Sequence, residues 1–185
     1  MTRIPRHPAA KRWPKLLYAL PVVAAAPLIG LLGPSAASAS GANTGFGFNA
    51  PDVAGGSGSV FLTGGGAFDP STGFVHSAGG FKCTSTVSKG PLAGCLAGQG
   101  VRWDTASLLP NTGFTCTGES EPAAVTDKNT VVLSADFYRA GDGNNESFTA
   151  KMIVSADDFA PNDPGVQNVW VQGVGCETTV AHFSQ

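Results

Sequence analysis

The densest group of side chains able to act together is Arg102-Trp103-Asp104, which sets a cation, a large π face and a carboxylate side by side, with Arg139 following Asp136-Phe137-Tyr138. Such a set binds a small polar ligand by stacking on the indole and pairing charge with the guanidinium. The competing account packs Trp103 into the core and pairs Arg102 with Asp104 at its rim. Acid–base or nucleophilic catalysis would call on His76 or His182, and neither stands in a recognisable setting. Gly55-Gly56-Ser57-Gly58-Ser59 approaches a G-x-S-x-G elbow but ends in Ser. The candidate ligand site is therefore His76, Arg102, Trp103, Asp104 and Arg139, with no catalytic residue, cofactor-binding residue or metal ligand assigned.

The four cysteines carry the other legible chemistry. Cys83, Cys95, Cys116 and Cys176 form an even set downstream of an export-type leader, which reads as two disulfides. Three pairings exist. The segment Phe81–Val87, the turn residues Ser88-Lys89-Gly90-Pro91 and the run from Leu92 read as a hairpin, which favours Cys83 with Cys95 and leaves Cys116 with Cys176. The echo of Gly80-Phe81-Lys82-Cys83-Thr84 in Gly113-Phe114-Thr115-Cys116-Thr117 supports a second pairing, Cys83 with Cys116. Zinc fails on spacing, because no C-x-x-C pair pre-forms half of a tetrahedral site.

Other short signals read as turns. Asp142-Gly143-Asn144-Asn145-Glu146 alternates oxygen ligands, but the calcium-loop template then meets Ser147 where it needs Gly and Ile153 where it needs Glu. Asp157, Asp158, Asn162 and Asp163 make a second acidic loop, and Asn145-Glu146-Ser147 is a formal glycosylation sequon. Gly98-Gln99-Gly100 lacks the third glycine and the helix that a phosphate cradle needs. Leu109-Pro110-Asn111-Thr112-Gly113 resembles the L-P-x-T-G signal cut by sortases. In that family an apolar segment and a basic tail follow; here a β-patterned stretch follows, so an ordinary turn is expected.

The elements that must position these residues lie in one exported domain. Arg3, Arg6, Lys11, Arg12 and Lys15 precede an apolar stretch from Leu16 to Leu32, and Ala37-Ser38-Ala39 offers small residues ahead of Ser40. This is the order of a cleavable signal peptide over residues 1–39. Lys11-Arg12 resembles a twin-arginine signal with its first arginine replaced, so the general secretory route is expected. After cleavage six Lys and Arg stand against thirteen Asp and Glu, a balance of −7. The six cations are scattered, which excludes a phosphate-tracking nucleic-acid surface. No transmembrane segment is expected after cleavage.

Residues 40–58, rich in Gly, Asn, Ala and Ser, read as a flexible lead-in, and 59–185 as an all-β domain. Short runs separated by turn residues imply about 7–9 strands. Val131, Leu133, Ala135 and Phe137 share one face, as do Phe148, Ala150, Met152 and Val154, and Ala140–Asn145 supplies turn residues between them. Nothing reads as a long helix, although Asp104–Leu109 has room for one helical turn. The fold expected is an antiparallel β-barrel or β-sandwich, the barrel favoured if Gly64-Gly65-Gly66, Gly79-Gly80 and Gly173-Val174-Gly175 supply the bends of closure. The function expected is a secreted or envelope domain that binds a ligand or partner, or has a structural role, without catalysis. The alternative is a small secreted enzyme with its site at a barrel mouth.

Overall fold

The structure, a computed structural model, describes residues 43–139 and 148–185, within the compact unit Ala39–Gln185. The expected leader, the Ala140–Asn145 turn, the Asp142–Glu146 loop and the Asn145 sequon lie outside the described residues. Nine strands form one antiparallel sheet: β1 (Thr44–Gly55), β2 (Gly58–Asp69), β3 (Phe74–Cys83), β4 (Arg102–Leu109), β7 (Thr130–Tyr138), β8 (Phe148–Ser155), β9 (Val169–Val171), β10 (Gly175–Glu177) and β11 (Val180–Ser184). A two-residue pair, β5 (Asn111–Thr112) and β6 (Ala124–Val125), stands apart. The sheet order is β10-β9-β8-β7-β4-β3-β2-β1-β11, and β10 also pairs with β1 at Ala54 and Cys176, so the sheet closes on itself as a barrel. Closure removes most of the edge that an open sheet would expose.

Closure needs β1, and here the sequence expectation fails. Residues 40–58 were expected as a lead-in, yet Thr44–Gly55 is a twelve-residue strand paired to β2 on one side and to β10 and β11 on the other. Its period of two is present but thin. Phe46, Phe48 and Ala50 point into the core, while Gly45, Gly47 and Asn49 fill the outward positions. Glycine and asparagine have low β propensity, and pairing on both edges overrides it.

The barrel interior is filled with side chains. Phe46, Phe68 and Phe183 meet in edge and stacked contacts with centroids 5.9 to 6.2 Å apart, and Phe81 meets Phe137 at 4.9 Å. Trp103 is fully buried and its indole nitrogen donates to the Thr63 carbonyl at 3.0 Å. The glycines beside it do not make bends. Gly64 and Gly79 lie inside β2 and β3, where a Cβ would fall 2.7 Å from the Trp103 ring in either case, and for Gly79 1.8 Å from the Thr63 carbonyl oxygen. They clear space for the indole; only Gly173 and Gly175 sit at a turn, with φ of 78° and 146°. Residues Asp104–Leu109 extend as β4 instead of coiling, paired along β7 from Asp104 opposite Asp136 to Leu109 opposite Val132 with a shift of register between Thr105 and Ser107.

The β7–β8 hairpin follows its expected register, from Thr130 opposite Ser155 to Phe137 opposite Phe148. Its two faces are both covered. Val131, Leu133, Met152 and Val154 enter the barrel, whereas Val132, Ile153 and the β9 residue Trp170 form a second cluster on the outside with Phe114, Ala124 and Ala160. The second cluster is covered by the 110–126 segment, a flap laid over the outer wall, and by the loop that follows β8.

Both disulfides take the favoured pairing, Cys83–Cys95 and Cys116–Cys176. Cys83 and Cys95 are fully buried at the end of β3 and in the following loop, where Val87 N donates to the Cys95 carbonyl at 2.9 Å without forming strand arms. Cys116 belongs to the flap on the outer wall, which separates it from Cys83 and rules out the pairing suggested by the sequence echo.

Candidate functional site

The sequence-derived ligand candidates sit on or in the barrel wall. Arg102 and Asp104 flank the inward Trp103 and face outward, their side chains 39% and 41% exposed and joined at 3.3 Å. The Arg102 guanidinium lies 4.0 Å from the centre of the Tyr138 ring, and that of Arg139 lies 5.3 Å from the Phe148 ring. His76 is exposed on β3 opposite Ala67, two residues from the Ala78–Asp104 pairing. Arg102, Asp104 and Tyr138 thus come together as a surface stack, while Trp103 is turned away from them into the core. None of the five lines either of two clefts found among the described residues.

The larger cleft, of 430 Å³, lies between the flap and the outer face of β8–β10. Its size falls within the roughly 300–1,000 Å³ of small-molecule sites. Strand alternation determines its floor. Lys151 and Ile153 project outward from β8, Trp170 from β9 and Cys176 from β10, with Ile153 opposite Trp170 and Trp170 opposite Cys176. Over this floor the flap is held by three kinds of contact. Cys116 is bonded to Cys176; the Trp170 indole donates to the Thr115 carbonyl at 3.1 Å; and Phe114 packs edge-on against Phe159 at 4.9 Å and Trp170 at 6.0 Å. The Thr117 hydroxyl also donates to Asp163.

Two charged groups line this cleft. Glu121 is brought in by the backbone of the flap, its N–H donating to the Phe114 carbonyl at 3.2 Å, and its Oε2 is shielded from solvent with no hydrogen-bond partner. Lys151 is exposed, and no salt bridge joins it to Glu121. Its backbone exchanges hydrogen bonds with Gln172, at 3.1 Å from the amide to the side-chain oxygen and 2.9 Å in return to the carbonyl, so the β8 strand and the β9–β10 turn are locked together there. Gly113, Gly173 and Gly175 are also in the lining; the Gly113 carbonyl accepts from the Thr112 hydroxyl and the Gly173 carbonyl from the Ser57 hydroxyl. That Glu121 oxygen is closed off from solvent, and so from the open cleft, while the residue as a whole is only partly buried. Little in the residue pattern marked this site, because its parts come from residues 60 apart across a disulfide and from a flap with no period.

A smaller cleft of 270 Å³ lies where Pro70 of the β2–β3 turn meets Leu108, Pro110 and Val125. The Leu109–Gly113 pentapeptide runs between the two clefts, with Thr112 buried and its hydroxyl donating to the Gly113 carbonyl at 3.0 Å. Pro110, Asn111 and Gly113 are exposed, and Asn111–Thr112 is paired as β5 to β6. In the acidic loop after β8, Asp158 accepts from the Ala160 N–H at 3.0 Å and the Gln167 N–H at 3.1 Å, Asp157 from the Asn129 side-chain amide at 3.1 Å, and Asp163 from the Thr117 hydroxyl. Among the described residues no group of three or more His, Cys, Asp or Glu is placed to hold a metal ion, and no helix is long and apolar enough to cross a membrane.

Two carboxyls away from the cleft have shifted acidities. Burial and the nearby Asp52 push Glu177 above the usual range, against the Asp52 N–H that donates to it at 2.9 Å. The Ser71 hydroxyl and N–H hold Asp69 below it, closing the β2–β3 turn. No protein-family model matches the chain, and neither a curated protein nor a solved structure matches it.

Proposed function

We propose that the protein is a secreted or envelope-localised binding module, released by cleavage after Ala39, whose ligand site is the cleft beneath the Cys116-tethered flap. Catalysis is not part of this reading. The observation that carries it is the cleft itself: a 430 Å³ space lined by Trp170, Phe114, Glu121 and Lys151, with a covalent clasp at its rim. Disulfides persist in oxidising compartments, which supports the extracellular or envelope location. A filled barrel supports a scaffold role for the interior and leaves recognition to the outer wall.

The experiment is a titration of the exported, oxidised protein with a panel of small polar and aromatic fragments, followed by amide chemical shifts and by Trp170 emission. Shifts gathered at Phe114, Lys151, Trp170 and Gly173, and lost in Cys116→Ala/Cys176→Ala, are the expected result. Shifts centred on Arg102 and Tyr138, or none at all, refute the assignment. Mass spectrometry of the exported material should find Ser40 first and a mass four hydrogens below the reduced formula for the two disulfides.

A further inference from the structure

We propose that the Cys116–Cys176 disulfide is a thiol-exchange site: a dithiol reduces it while the barrel stays folded, and so unclasps the tip of the flap. The proposal rests on the ligand reading of the cleft only for its consequence, since residues 112–116 of the flap form one wall of that cleft.

The two disulfides stand in opposite surroundings. Cys83 and Cys95 are each 0% exposed and belong to the core of the barrel. Cys116 and Cys176 are only partly buried, and Cys116 is in the lining of the cleft. Exchange requires a thiolate to reach a sulfur, so access decides which bond exchanges first. Cys83–Cys95 is reached only by opening the core, a far rarer event than local movement at the surface. At the exposed bond, a thiolate of the dithiol attacks the Cys116 sulfur, the Cys116–Cys176 bond breaks, and Cys176 leaves as a thiolate that takes up a proton. The second thiolate of the dithiol then attacks its partner sulfur in the mixed disulfide and releases Cys116, which takes up the other proton. The dithiol is oxidised to a disulfide, and the protein gains its two electrons and two protons.

The neighbours of the bond determine what its loss releases. The base of the flap is held without it: Asn111–Thr112 pairs with Ala124–Val125, the Thr126 N–H donates to the Pro110 carbonyl at 2.9 Å, and the Thr126 hydroxyl accepts from the Val132 N–H at 3.1 Å. β10 is also held without it, paired to β9 from Gly175 opposite Val171 to Glu177 opposite Val169, with the Glu177 carbonyl accepting from the Asn168 N–H at 3.1 Å. Only the tip depends on it. There Phe114 packs against Phe159 and Trp170, the Trp170 indole donates to the Thr115 carbonyl, and the Thr117 hydroxyl donates to Asp163. These contacts are few and local, so they can open as a unit while the sheet stays paired. Trp170, 5% exposed, is uncovered when they do.

The test uses the full oxidised exported protein and dithiothreitol, a small dithiol, at graded concentrations without denaturant. Acid quenching, alkylation of the free thiols and peptide mass mapping read which cysteines have been reduced. Cys116 and Cys176 should be labelled together, about tenfold or more faster than Cys83 and Cys95. Trp170 emission should move to longer wavelength in step with that labelling, while far-UV circular dichroism keeps the oxidised spectrum. With glutathione, a monothiol, the trapped mixed disulfide should lie on Cys116. Reduction of all four cysteines in step, of Cys83 and Cys95 first, or of none until the circular dichroism is lost, overturns the exchange site. Reduction of Cys116 and Cys176 with Trp170 emission unchanged overturns the unclasping. Neither readout needs a ligand, so a cleft that binds no fragment in either redox state defeats the ligand reading alone.

Discussion

Replacing Cys116 and Cys176 together by alanine tests how the flap is held. The disulfide closes a loop of 60 residues. Constraining such a loop in the unfolded chain is worth about 4 kcal/mol at 25 °C on the chain-entropy relation. Both cysteines are only partly buried, so the alanines leave little void and the loss should be almost wholly this entropic term. Typical domains have about 5–15 kcal/mol of net stability, so the loss is a large share of the total. Urea unfolding followed by tryptophan fluorescence measures it, with the slope m checked for constancy so that a change in midpoint is a change in stability. Trp170 adds a local signal: at 5% exposure under the flap it should emit at longer wavelength in the variant before global unfolding, while Trp103, sealed in the barrel, should not change. A loss below about 1 kcal/mol would show that Phe114, the Trp170–Thr115 bond and Thr117–Asp163 hold the flap unaided, and the entropic reasoning would fail.

Four further outcomes follow from the same structure. Gly79→Ala should lower stability by about 3 kcal/mol or more, since its Cβ has no room against Thr63 and the Trp103 indole; a chemical denaturation midpoint within error of the parent would contradict that packing. Glu177 has a raised folded pKa, so it favours the fold most when protonated and its contribution fades as pH rises through the folded value. Glu177→Gln, which keeps the acceptor for Asp52, should therefore raise the melting temperature near pH 7 and converge on the parent toward about pH 4; a gain that grows on acidification would refute the sign. Asp69 has the opposite sense: its contribution is present above the ordinary carboxylate range and is lost as pH falls through its lowered value, so Asp69→Asn should flatten the acid limb of the stability profile. Thr112→Ala should leave cell-surface retention unchanged, measured by fractionation, because Thr112 is buried in the flap.

The legible parts of the fold were those where side-chain pattern and pairing agree. Val131 to Phe137 and Phe148 to Val154 alternate over whole strands, and their register follows from that alternation. The cysteine pairing was legible from the short separation of Cys83 and Cys95, 12 residues in sequence, although the strand arms expected to bring them together are not formed. β1 was hidden because its outward positions are Gly45, Gly47 and Asn49, so the alternation rests on two phenylalanines and looks like a linker. The glycines of β2 and β3 misled in the opposite direction: a run of glycine suggests a bend, and here it marks a neighbouring indole. For the site, Arg102-Trp103-Asp104 looked like a cluster in one dimension, but a strand sends alternate side chains to opposite faces, which puts the tryptophan in the core and the charges outside. Glu121, Lys151 and Trp170 are far apart in sequence and meet only after the flap is clasped to β10, and no spacing rule registers that.

The clasp gives the protein a form of timing. While Cys116 and Cys176 are thiols, the flap has only noncovalent contacts, so a chain still in a reducing compartment offers an incompletely walled cleft. Oxidation supplies the last wall. The covalent closure of the flap is then tied to the redox state of the surroundings.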